Sequence, residues 1–147
     1  MTSSVIAIPD SLLDIDATFL PVRQMRQLSR VTSLDGPSLT AIVDLGPAHW
    51  VYAQHFPDDP IFPGTLIVEA AGQAVALWAW AQGLRGRPRL VRTSASFHYP
   101  VTPATPFLEL RAQVRTRRTL HFGAVEVMAD GRLAATIEAV LTVLPST

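Results

Sequence analysis

Eighteen consecutive residues, Thr65–Gln82, carry one ionisable side chain, Glu69, among leucine, isoleucine, valine, alanine and tryptophan. A helix apolar nearly all round must be buried, in lipid or inside a larger fold. Eighteen residues lie at the short end of the range that spans a bilayer, and Glu69 and Gln73 would sit in hydrocarbon at a cost. The segment is therefore read as a helix buried in protein, ended by Gly83, and no membrane association is expected.

The rest of the chain supplies what would bury it. In "SLTAIVDL", Leu39, Ala41, Val43 and Leu45 alternate with Thr40, Ile42 and Asp44, the period of a strand with one buried face. Residues 90–99, "LVRTSASFHY", form a further strand candidate, closed by Pro100, Pro103 and Pro106. "FLELRAQVR" puts Leu108, Leu110, Ala112 and Val114 on one face and Glu109, Arg111, Gln113 and Arg115 on the other. "HFGAVEVMA" follows, with Gly123 read as a bulge, and Asp130–Gly131 reads as a tight hairpin turn before "RLAATIEAVLTVL". The chain becomes strand-like from Met25, residues 1–20 read as a loosely attached arm, and 49–63 is proline-rich and irregular. One long helix among five or six antiparallel strands is best buried by a sheet wrapped around it, an α+β fold in a single domain over residues 1–147.

Composition removes several functions. The sequence has no cysteine, which excludes disulfides and thiolate chemistry. Twelve basic residues, all arginine, balance twelve acidic ones, so the basic excess of a nucleic-acid-binding domain is missing. There is no nucleophile elbow, phosphate-binding glycine loop or H-E-x-x-H motif. His55 with Asp58 and Asp59 has no second histidine close by, so no metal site is expected. A cytoplasmic setting is compatible with the absence of cysteine and of a secretory leader pattern at "MTSSVIAIPDSLLD".

The remaining chemistry lies in "HFPDDPIFPGTLIVEAAGQ". Residues four apart share a helix face, so Thr65, Glu69 and Gln73 form a narrow polar stripe that continues as Ala76 and Trp80. Such a stripe either meets solvent at a sheet edge or faces a site, where a shielded carboxyl can serve as a general acid. His55 stands fourteen residues before Glu69 in a turn constrained by Pro57, Pro60 and Pro63, and a neutral imidazole there can act as a base. His49, His98 and His121 are read as structural or surface residues. Pro63 and Gly64 open the helix, and its first free N–H groups favour an oxygen that gains negative charge. Base, acid and oxyanion donor suit proton removal beside a carbonyl followed by loss of a β-hydroxyl.

That stretch closely resembles the signature of the 3-hydroxyacyl-acyl-carrier-protein dehydratases of the hot-dog fold, roughly H-F-P-G-x-P-x-x-P-G-x-L-x-x-E-A-x-x-Q. Weaker similarity extends to "FLPVRQMRQLSRV", "ASFHYPVTP" and "VMADGRLAATIEAVL". The resemblance implies a curved antiparallel sheet around the central helix and a dimer in which His55 of one subunit faces Glu69 of the other. It implies dehydration of a 3-hydroxyacyl thioester, borne on acyl carrier protein, to the trans-2-enoyl thioester, without a cofactor. His55 would take the C2 proton, Glu69 would protonate the leaving hydroxyl, and Gly64 N–H would hold the carbonyl. Gln73 would position the glutamate or a water, and Phe56 and Phe62 would border the acyl tunnel. The departures, Val22 for a histidine, Gln54 and Asp58 for glycines and Tyr99 for a basic residue, bear on carrier contacts and substrate identity. They point to a specialised polyketide or polyene pathway rather than general fatty-acid synthesis. Arg85, Arg87, Arg89 and Arg92, or Arg115, Arg117 and Arg118, are candidates for docking an acidic carrier. The alternatives are a hot-dog thioesterase and a non-catalytic subunit of a heterodimeric dehydratase.

Overall fold

The computed structural model describes residues 20–145. Six strands, β1 (Arg30–Asp35), β2 (Ser38–Asp44), β3 (Gly86–Phe97), β4 (Phe107–Arg117), β5 (Leu120–Ala129) and β6 (Arg132–Pro145), form one sheet in the order β1-β2-β4-β5-β6-β3. Every neighbouring pair is antiparallel. The one α-helix among the described residues, α1 (Gly64–Ala81), enters between β2 and β3. It starts and stops where proline and glycine predict, and no helix among the described residues is long and apolar enough to cross a membrane. This is the hot-dog arrangement, an antiparallel sheet with a helix against its apolar face.

The core lies between α1 and that face. Ala70, Ala71, Ala74, Val75, Leu77 and Ala79 of the helix are buried against Leu108 and Leu110 of β4, Val125 and Val127 of β5 and Ile137 of β6. Short side chains on the helix let it sit close to the sheet. Gly123 shows how close, because a Cβ there would come within 2.2 Å of Val75 Cγ2. The expected bulge at Gly123 is therefore absent: it pairs in regular register with Val114 and Ala139, and what it supplies is room for the helix. Asp130 and Gly131 both have positive φ, +54° and +74°, as a type I′ hairpin requires.

Two further expectations change. The strand expected at residues 90–99 is β3, which starts earlier, at Gly86, and is exposed along almost its whole length because it pairs only with β6 at the sheet's edge. The strand character expected from Met25 begins only at Arg30. Arg23–Met25 is a single 3₁₀ turn, and the backbone after it is satisfied by a helix side chain rather than by a neighbouring strand. Leu20 and Leu28 are buried here, so the chain is anchored from Leu20 onward, while the helical turn expected near Ser11–Leu13 lies outside the described residues.

The far end of α1 is held by polar groups. Trp78 Nε1 donates to Gly36 O at 2.9 Å, across the β1–β2 turn. His121 is buried beside it, with Thr116 Oγ1 2.9 Å from its Nδ1. Burial pushes the His121 imidazole below the ordinary histidine value, so it is held neutral. His49, half-buried, shifts the same way for the same reason.

Two outcomes follow from this packing. Gly123→Ala should cost about 1–3 kcal/mol in urea denaturation, since Val75 and the helix must move; an unchanged midpoint would contradict the fit. Below the unfolded histidine value of 6.5 the unfolded chain binds a proton that His121 resists. Stability should therefore fall as the pH drops below that value. His121→Gln should make that fall shallower, which thermal melts across the range would show.

Candidate active site

The residues between His49 and Gly64 fold into a loop closed by its own backbone. A 3₁₀ turn, Trp50–Ala53, leads into it, with His49 Nδ1 accepting from Val51 N at 3.2 Å. Phe56 N donates to Asp59 O at 3.1 Å and Asp59 N returns to Phe56 O at 3.0 Å, so Pro57 and Asp58 form a tight turn. Ile61 N then donates to His55 O at 2.8 Å. The prolines remove donors only where none is needed, and their fixed φ lowers the entropy cost of the loop.

These bonds orient the histidine. His55 Nδ1 lies 3.0 Å from Ile61 O. A carbonyl oxygen only accepts, so the neutral ring carries its proton on Nδ1 and leaves the Nε2 lone pair free. The ring stacks on Phe56, centroids 4.0 Å apart, and the peptide between the two residues is cis. Phe56 is 51% exposed, a ring turned to the surface. Phe62 is only 2% exposed and packs edge-on against His49 and Tyr52. The Tyr52 hydroxyl donates to Thr102 O at 3.1 Å, and burial pushes its pKa up to about 12.

Glu69 sits in the second turn of α1, half-buried. The polar stripe begins at the surface, where Thr65 is exposed, and runs inward: Thr65, Glu69 and Gln73 line one cavity of about 660 Å³ together with Gly72 and Ala76 from the same face. Leu20, Leu90 and Leu141 make it largely apolar, and Arg87 and Arg89 of β3 stand at it too. Gln73 Nε2 donates to Glu69 Oε2 at 2.8 Å.

Gly64 lies on another opening. It lines a cavity of about 340 Å³ with Ile61, Phe62 and Phe97, and a Cβ on it would come within 2.9 Å of the Phe97 ring. No hydrogen bond from the Gly64 or Thr65 amide is formed among the described residues, as expected of a helix's first turn. One chain therefore joins Glu69 to Gln73, and His55 to the Ile61 carbonyl beside Gly64. It does not place His55 on the cavity that Glu69 lines. Sequence reasoning missed the backbone of Met25–Leu28, which bonds Gln73. Only the resemblance of "FLPVRQMRQLSRV" pointed to that region. Among the described residues no group of three or more histidine and carboxylate side chains is placed to hold a metal.

Comparison with known proteins bears on the fold and the family. The fold agrees with the dehydratase heterocomplex ApeI:P of Xenorhabdus doucetiae, at a TM-score of 0.70 and 16% identity over 88% of this chain and 90% of that one. It agrees also with the PaaI protein of the E. coli phenylacetic acid degradation operon, at a TM-score of 0.61 and 17% identity, covering 77% and 81% of the two chains. In sequence, the chain is 31% identical over 116 residues to the 3-hydroxyacyl-[acyl-carrier-protein] dehydratase FabZ of Brucella melitensis, spanning 76% of this chain and 74% of that protein. The pattern of the FabA-like domain family matches residues 20–138, which include the His55 loop, α1 and all of β1 to β5. The chain belongs to the FabA-like domain family, as a divergent member of the group of 3-hydroxyacyl-[acyl-carrier-protein] dehydratases.

Proposed function

We propose that this protein is a hydro-lyase that removes water from a 3-hydroxyacyl thioester carried on acyl carrier protein. The observation that carries the reading is the fixed tautomer of His55, whose Nδ1–H is spent on Ile61 O and whose Nε2 is free to accept a proton. A base so poised has a use beside an acidic C–H, and the α-carbon of a thioester supplies one. In the reaction Nε2 takes the C2 proton and the C2 electron pair forms the C2=C3 bond. The C3–O bond breaks with a proton from Glu69, releasing water and a trans-2-enoyl thioester. The Gly64 N–H, with the dipole of α1 behind it, donates a hydrogen bond to the thioester carbonyl oxygen and stabilises the charge that builds there.

The site is completed by a second subunit, with His55 of each chain serving Glu69 of the other. Two features support this reading. His55 does not line the cavity that Glu69 lines. The outer edge of β3 is free and carries Leu90, Val91 and Phe97, each more than half exposed, a surface suited to pairing with a partner strand. The acyl chain enters the apolar cavity beside Glu69, and Phe56, exposed on the histidine loop, borders it from the partner side. Arg87 and Arg89 stand at the same cavity, where an acidic carrier would dock. The replacements at Val22, Gln54, Asp58 and Tyr99 favour a specialised pathway of the polyketide or polyene type.

His55→Ala and Glu69→Gln should each lower kcat by about 10²–10⁴-fold without changing the fold or the oligomer size. Mixing the two inactive variants tests the shared site. A heterodimer keeps one intact His55–Glu69 pair, so random exchange should restore about a quarter of the wild-type rate. No recovery, with exchange verified by native mass spectrometry, would place both residues in one subunit's site. Free thiol released without an enoyl product would instead identify a thioesterase. Inactivity of the wild-type homodimer, relieved by a related subunit, would identify a heterodimer component.

A further inference from the structure

Gln73 is a buried side chain, 3% exposed, one turn after Glu69 on α1. Its Oε1 accepts from Gln27 N at 2.9 Å and Leu28 N at 3.4 Å. Its Nε2 donates to Met25 O at 2.7 Å and to Glu69 Oε2 at 2.8 Å. A primary amide offers two N–H donors and two acceptor lone pairs, and here all four are engaged. Three of the four partners are backbone groups, whose donor or acceptor character cannot change. Turning the amide over would set its N–H groups against two backbone N–H groups and its oxygen against a carbonyl, so the orientation is fixed by the main chain.

Two consequences follow for Glu69. Gln73 has no capacity left to hold a water or a substrate atom, which separates the two roles the resemblance left open. Glu69 Oε2 receives the Gln73 N–H, so Oε1 is the oxygen left to hand over a proton.

We infer that the backbone of Met25–Leu28 acts through Gln73 as the positioning element for Glu69, and that the acid delivers its proton from Oε1. Gln73 is thus a positioning residue rather than a substrate-binding one. The segment is firm enough for this task. Leu28 and Gln27 are buried, and the Gln27 side chain donates to Gln24 O and Met25 O at 2.9 and 3.2 Å. Beyond it, Ser29 N donates to Ile42 O at 2.7 Å and Ser29 Oγ accepts from Asp44 N at 2.8 Å, which joins the segment to β2. A strut therefore runs from β2 through residues 25–28 to the carboxylate. The delivery of the proton rests on Glu69 being the acid proposed above; the strut does not.

The test replaces single hydrogen bonds. An amide-to-ester substitution at residue 27 removes the Gln27 N–H while keeping every side chain, and Gln73→Leu removes all four bonds at similar volume. Each should lower kcat by about 10- to 100-fold with KM changed little, the cost of a misplaced catalytic group. In a Glu69→Gln background neither change should lower the residual rate further, although each still lowers the melting temperature. Losses that multiply with Glu69→Gln would overturn the coupling, because a merely structural role acts whether or not the carboxyl is present. A second arm needs no turnover: the side-chain ¹H–¹⁵N signals of Gln73 should move on Glu69→Gln and again on the residue 27 ester. Signals unmoved by both would overturn the strut. A wild-type chain without dehydratase activity but with these shifts would overturn the functional reading and leave the strut standing.

Discussion

The burial of α1 against the sheet is the constraint on which everything else depends. The helix is apolar nearly all round, so it forms only where a sheet covers it, and its alanines let that sheet approach to the distance that Gly123 records. Such a helix has little freedom to rotate or slide, because a close-packed interior transmits any displacement to its neighbours. The stripe of Thr65, Glu69, Gly72, Gln73 and Ala76 faces away from the sheet core, and the cavity lies along it. The place of Glu69 on the helix is therefore set by core packing, and its carboxyl is held by Gln73. The same burial exposes the N–H groups of the first turn at Gly64, beside the loop that orients His55.

Much of this was legible in the sequence because hydrophobic period reports directly on burial. The alternation in "FLELRAQVR" and "HFGAVEVMA" became β4 and β5, and the unbroken apolar run became α1. Where the period misleads, burial is set by something other than one face of a sheet. β3 starts before its apolar stretch because its first residues, Gly86–Arg89, pair with the end of β6, and edge pairing needs backbone groups rather than hydrophobic side chains. Gly123 looked like a bulge because a lone glycine in a strand gives no sign of the helix above it. Residues 25–28 looked like a strand because their backbone partner, a glutamine side chain 45 to 48 residues away, leaves no local pattern.

The candidate site divides in the same way. The spacing of His55, Gly64 and Glu69 was visible, and so was the proline constraint on the loop. Which atom of His55 is free was not, since it depends on the Ile61 carbonyl curling back to Nδ1. The resemblance implied that Phe56 and Phe62 both border the acyl tunnel; in this chain Phe56 is turned to the surface, and Phe62 packs against His49 and Tyr52 in the core. Gln73 and Glu69 share a face by helical spacing alone, but the four bonds that fix the amide come from chain distant in sequence. Polar side chains in this molecule act chiefly on backbone groups, which makes their geometry hard to perturb.

The central claim is that this geometry performs a dehydration. Its most direct test is mass spectrometry of a 3-hydroxyacyl chain bound to acyl carrier protein before and after incubation with the purified protein. The account predicts loss of one water from a chain that stays attached to its carrier, abolished when His55 or Glu69 is replaced. A chain unchanged across a range of lengths and C3 configurations, or released from its carrier as the free acid, would contradict it.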